Sequence, residues 1–205
     1  MEWGVIAAFW GVSMLFIMSP GADWSYAISA GIHKRVVPSV TGLLCGHVLA
    51  TLVVAAGVGL VLAEHPQALL VLTVLGALYL AWMGWQLFRQ PAAPSVGSAV
   101  DNSHWHSWCW KGLCISGLNP KVLLLFMALL PQFIAPTAAW GMSTQILALG
   151  LVHIISCAAV YFCVGFSSQA VLSARPQAAW VVGKVSGVMM MAIALLILWE
   201  QYTHM

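Results

Sequence analysis

Ser19-Pro20-Gly21-Ala22-Asp23 interrupts an apolar stretch near the start of the chain, and Leu118-Asn119-Pro120-Lys121 interrupts another about one hundred residues later. Proline removes a backbone donor and crowds the carbonyl one turn earlier, so each motif breaks a helix. Each break also carries a charge, Asp23 in one and Lys121 in the other. Ionisable groups within a bilayer are costly and mark solute or ion pathways by default. A single proline can be a simple kink that neighbouring helices satisfy. Two charged breaks at corresponding places in two halves point to a working site instead.

The surroundings decide that the breaks lie in a membrane. Hydrophobic residues fill 62% of the 205 positions and charged residues only 6%, against roughly 25% charged in a soluble domain. At roughly twenty apolar residues per span, the chain has room for about six spans with short loops. These are expected at residues 3–30, 39–63, 68–88, 112–133, 143–168 and 179–199. The stretch 89–111, with Pro91, Pro94, Ser95, Gly97 and Ser98, reads as a cytoplasmic linker between a first three-helix repeat (1–88) and a second (112–205). Met1-Glu2-Trp3 supplies no basic region of the kind that opens a cleaved signal, so the first stretch is expected to stay in the protein.

Lys34, Arg35, Arg89, Lys111, Arg175 and Lys184 fall at three connections on one side. The positive-inside rule places those connections in the cytoplasm and both termini outside. Trp3, Trp105, Trp108, Trp110, Trp140, Trp180 and Trp199 sit at or near span ends, as an interfacial belt requires. A net charge of +2 with no basic block argues against nucleic-acid binding. The five cysteines, Cys45, Cys109, Cys114, Cys157 and Cys163, lack metal-ligand spacing and read as small hydrophobes.

Overlaying the halves pairs Pro20 with Pro120, His47 with His153, Gly59 with Gly165 and Gly76 with Gly183, at offsets between 100 and 107. Three spans per half, an odd number, set the halves in opposite orientation. The expected fold is therefore an all-α integral membrane protein, six transmembrane helices in an inverted 3+3 repeat with broken first and fourth helices.

The expected substrate and proton pathway comprises Pro20, Gly21, Asp23, Asn119, Pro120, Lys121, His47 and His153. Freed amides at a restarted half-helix suit a carboxylate. Asp23 can bind an ammonium or carry a proton; Lys121 can meet a carboxylate, or pair with Asp23 across the repeat interface and neutralise it when the substrate is absent. The bland reading of that pair is a structural ion pair or a snorkelling lysine. His47 and His153 are either proton relays or helix-to-helix hydrogen-bond partners.

Trp24, Ser25 and Tyr26 come directly after the first break and can line a pocket by hydroxyl and aromatic contacts. Gly42, Gly46 and Ala50, extended by Gly57 and Gly59, form a small-residue stripe for close helix packing. Phe126, Met127 and the leucines after Lys121 read as core.

With these residues in hand, the chain resembles the LysE/RhtB amino-acid exporters of bacterial cytoplasmic membranes, over nearly its whole length. Ser19-Pro20-Gly21-Ala22-Asp23 resembles the family's Pro-Gly-Pro-Asp element, with Ala22 where a second proline is common. Gly42-Leu-Leu-Cys-Gly46 and Gly76-Ala-Leu-Tyr-Leu-Ala-Trp-Met-Gly84 resemble its second-span and third-span patterns. Gly117-Leu118-Asn119-Pro120-Lys121 with Leu130-Pro131-Gln132-Phe133 downstream is the strongest match. The resemblance implies export of a small amino acid or derivative, exchanged for protons, by a compact six-helix carrier in the inner membrane.

The expected partners are that solute, protons and lipid, with a homodimer left open; no cofactor, metal or nucleic acid is expected. Three other readings compete. One is export of a different solute, a metal ion or a hydrophobic amine; a metal needs several His, Asp or Cys side chains on facing helices, more than His47 and His153 offer. A membrane thiol–disulfide carrier needs a cysteine at each break, and the nearest is Cys114, six residues from Pro120. A passive channel differs in that export persists when the proton gradient collapses.

Overall fold

The computed structural model describes residues 2–64, 66–89, 104–135, 138–174 and 176–203, and every regular element among them is helical. In chain order these are α1 (Trp3–Met18), α2 (Ala22–Ile32), α3 (Val36–Glu64), α4 (Pro66–Arg89), α5 (Trp105–Gly117), α6 (Pro120–Leu124), a π segment (Leu125–Leu129), a 3-10 turn (Leu130–Phe133), α7 (Met142–Ala174) and α8 (Pro176–Thr203). Pro91, Pro94, Ser95, Gly97, Ser98 and Arg175 lie outside the described residues.

Among the described residues, two helical stretches are by themselves long and apolar enough to cross a membrane, Val36–Gly57 and Met142–Ser168. Two bent pairs raise the number to four. α1 and α2 meet at 59°, and α5 meets the segment Lys121–Phe133 at 55°. The bends fall at the two proline motifs, where the sequence removes backbone donors.

The second bent unit is irregular beyond its break. Pro131 has no N–H to give the Met127 carbonyl, and the helix loosens into a π turn and then tightens into 3-10 geometry. A π turn adds a residue, rotating the next residues about the helix axis by about 100°. Phe126 is fully buried while Met127 is 40% exposed, which corrects the reading of Met127 as core.

α5 begins at Trp105, inside the stretch read as linker, because Trp108 has a buried partner surface rather than an interfacial one. Its side chain is 1% exposed, stacks on Tyr26 with ring centroids 5.8 Å apart, and its carbonyl accepts a 2.6 Å hydrogen bond from the Tyr26 hydroxyl. Trp108 therefore leaves the expected belt. Trp3, Trp105, Trp110, Trp140, Trp180 and Trp199 are all exposed, as a belt requires.

Small residues set the helix spacing. A Cβ on Gly46 would lie 2.6 Å from the Gly117 amide nitrogen, and one on Gly112 would lie 2.5 Å from the Ser39 carbonyl oxygen. α3 and α5 thus touch backbone to backbone, as small-residue seams allow. Gly57 meets nothing within 4 Å, so the seam does not extend to it; the surroundings of Gly59 lie outside the described residues. α4 and α8 make a reciprocal contact: a Cβ on Gly84 would sit 2.7 Å from the Gly187 carbonyl oxygen, and one on Gly187 would sit 2.6 Å from that of Gly84.

The α2–α3 corner closes with a Schellman arrangement. Lys34 takes φ 57°, its amide donates to the Gly31 carbonyl, and the Arg35 amide donates to that of Ala30 at 2.7 Å. Both basic residues are thereby held at one end of the helices.

Candidate functional site: two interlocked helix breaks

Asn119 joins the two breaks. As N-cap of α6 its side-chain oxygen accepts from the Lys121 amide at 3.0 Å, and its Nδ2 donates to Asp23 Oδ1 at 3.2 Å. The traffic also runs the other way. Lys121 Nζ donates to the Ser19 carbonyl at 2.9 Å and to the Ser19 hydroxyl oxygen. Each break therefore satisfies polar groups of the other, which is how charged groups are tolerated in an apolar interior.

Asp23 is 5% exposed. Beyond Asn119 it accepts a hydrogen bond from the Tyr161 hydroxyl at 3.2 Å, and its Oδ2 lies 3.5 Å from His47 Nε2. It does not pair directly with Lys121, whose ammonium is taken by Ser19 instead. The direct Asp23–Lys121 contact is thus corrected, although both side chains line the same cavity.

The histidines stand next to this cluster. His47 on α3 and His153 on α7 are each 2% exposed, with ring centroids 5.0 Å apart. Ser13 Oγ lies 2.6 Å from His153 Nδ1, and Cys157 Sγ lies 3.3 Å from its Nε2. Phe126, from the π segment, packs edge-on against His153 at 5.2 Å between centroids. Neither ring nitrogen of His47 has a hydrogen-bond partner among the described residues.

Six of the eight expected pathway residues converge by their side chains or by room left for one: Asp23, Asn119, Lys121, His47, His153, and Gly21, where an added Cβ would come within 4.0 Å of Lys121 Nζ. Pro20 and Pro120 act through the backbone, by ending α1 and opening α6. The expected free amides at the second break are not free. Those of Lys121, Val122 and Leu123 are all taken by Asn119.

The pocket wall also differs from the expectation. Tyr26 turns away to Trp108, and the Trp24 indole N–H donates across the first break to the Ile17 carbonyl at 2.6 Å. Tyr161 takes their place in the cavity wall, while Ser13 and Cys157 contact His153. His153, Cys157 and Tyr161 repeat every four residues on α7, and that spacing puts them on one helix face. This was the available signal for Cys157 and Tyr161.

The cavity between Asp23, Lys121, His47, His153 and Tyr161 measures about 10 Å³, room for about one water molecule. A solute of several heavy atoms needs the helices to part.

No solved structure matches the chain. Among named proteins it is 26% identical to the threonine efflux protein of Escherichia coli K12, over 66% of this chain and 71% of that protein. It is 27% identical to the homoserine/homoserine lactone efflux protein of Salmonella typhimurium, over 70% of each, and 28% identical to the leucine efflux protein of an Enterobacter strain, over 73% of this chain and 74% of that protein. Residues 14–201, which include both breaks and both histidines, match the family described as LysE type translocator, and the chain belongs to that family.

Proposed function

We propose that the protein is a secondary active exporter of a small amino acid or amino-acid derivative, driven by proton exchange, in a bacterial inner membrane. The observation that carries this reading is the interlocking of the two breaks, which brings one carboxylate and one ammonium to the same small cavity. A zwitterionic solute has the complementary pair. Its ammonium takes the place of Asn119 and Tyr161 at Asp23, and its carboxylate takes the place of Ser19 at Lys121. The names of the relatives support the class of solute.

Alternating access fits the same geometry. The cavity is too small for an amino acid as it stands, so loading requires that α1–α2 and α5–α6 move apart on one side. An inverted 3+3 repeat supplies two equivalent ways to do this. One contact supports the repeat: the paired histidines His47 and His153 meet each other, as mates across a two-fold do. Asp23, with His47 against it and His153 beyond, is the proton carrier of this scheme. Both termini lie outside and Lys34, Arg35 and Lys111 on the cytoplasmic side.

Purified protein in liposomes tests the reading. An imposed pH gradient is expected to drive uphill movement of a labelled amino acid, and an uncoupler is expected to abolish it. Movement that never exceeds equilibration, with or without the gradient, would indicate a passive path.

A further inference from the structure

We propose that His47, His153 and Cys157 form a binding site for one soft divalent cation, of the Zn²⁺ or Cd²⁺ kind, that bridges α3 and α7. The three donor atoms lie within 4.8 Å of one another and all three residues are buried. A tetrahedral site with metal–nitrogen and metal–sulfur distances of about 2.0 and 2.3 Å has donor separations of about 3.5 Å. The His153 Nε2 to Cys157 Sγ distance of 3.3 Å already has that span, and His47 closes the remainder by a small side-chain shift.

The His153 ring is already oriented, and the His47 ring is free of competing hydrogen bonds. Ser13 holds His153 Nδ1 at 2.6 Å and leaves Nε2 facing Cys157. Both ring nitrogens of His47 are buried with no hydrogen-bond partner, and Asp23 Oδ2 stands 3.5 Å from Nε2, near enough to support it once Nδ1 is ligated. A carboxylate or hydroxyl on the far nitrogen is the usual support of a metal-ligating imidazole. Imidazole and thiolate favour soft ions over Mg²⁺ or Ca²⁺. The adjoining cavity of about 10 Å³ leaves a fourth position for one water.

Binding displaces the Cys157 thiol proton, and Asp23 and the new thiolate balance the ion. Lys121, lining the same cavity, opposes it. This gives the site a signature that a stray thiol lacks: removing the Lys121 charge strengthens binding. The site itself rests on geometry alone. Its consequence, that a bridged α3 and α7 stop transport, rests on the exporter reading.

The test is titration of the purified full chain in detergent with Cd²⁺, read by thiolate-to-Cd²⁺ ultraviolet absorption, in a background where Cys45, Cys109, Cys114 and Cys163 are replaced by alanine. One equivalent per chain is expected. Cys157→Ala abolishes the absorption, His47→Gln weakens binding at least ~10-fold, and Lys121→Met tightens it. Absence of the absorption in a background that elutes and melts like the unmodified protein would overturn the site. So would binding indifferent to both His47→Gln and Lys121→Met, which is a thiol acting alone. If His47→Gln does not fold, ¹¹³Cd nuclear magnetic resonance of the background protein distinguishes mixed nitrogen–sulfur ligation, which supports the site, from sulfur-only ligation, which overturns it. Cd²⁺ binding by protein that moves no amino acid would leave the site standing and count against the exporter reading.

Discussion

Tyr161 spends its hydroxyl on Asp23 at 3.2 Å, and an unmade hydrogen bond at a buried carboxylate is costly. Tyr161→Phe keeps the ring and removes the bond, so it is expected to destabilise the protein by about 1–2 kcal/mol, read as a lowered melting temperature in detergent. An unchanged melt would show that the hydroxyl is dispensable to Asp23. Gln145 offers a comparison away from the site. It is fully buried, its Oε1 accepts from the Ala135 amide at 3.0 Å, and its Nε2 donates to the carbonyls of Ala135 and Trp140. Gln145→Leu orphans those backbone groups and is expected to cost about 1–3 kcal/mol without altering the site. A transport defect larger than its loss of folded protein would contradict that separation.

At the scale of helices, the seam between α3 and α5 sets the next expectation. Gly46→Val drives a side chain into the Gly117 amide, 2.6 Å from the nearest added atom, and is expected to cost at least about 2 kcal/mol or to prevent assembly. Gly57→Ala on the same helix meets nothing within 4 Å and is expected to be neutral or stabilising by up to about 1 kcal/mol. Equal melting temperatures for the two variants would show that the seam does not hold the helices together. The same helices show what is legible in the sequence. Proline, glycine and charge mark both breaks, because each alters the backbone wherever it falls. The phase of α7 is not legible, because a helix that is apolar all round has no polar face to orient it. The four-residue spacing sets Cys157 on the face of His153, but only the fold shows that this face is turned toward the site. Met127 is exposed beside the fully buried Phe126, because neighbours in sequence stand about 100° apart around a helix and an all-apolar run does not say which of them faces inward.

At the scale of the molecule, topology and site are separate claims. With both termini outside, Glu2→Cys in a cysteine-free protein is expected to react with a membrane-impermeant thiol reagent in intact cells, and Lys34→Cys only after the cells are opened. The reverse pattern would invert the assignment. The interlocked breaks are legible as two motifs, but their partners are not: Asn119 to Asp23 and Lys121 to Ser19 depend on how two bent units cross, which no local pattern carries. Whether Asp23 and Lys121 form one transport site is tested by efflux of amino acids from dipeptide-loaded cells by the intact protein, Asp23→Asn, Lys121→Met and the double variant, at equal membrane levels. Each single substitution is expected to abolish accelerated efflux, and the double variant to be no worse than either, since both residues serve one site. Full efflux by either single variant would contradict it.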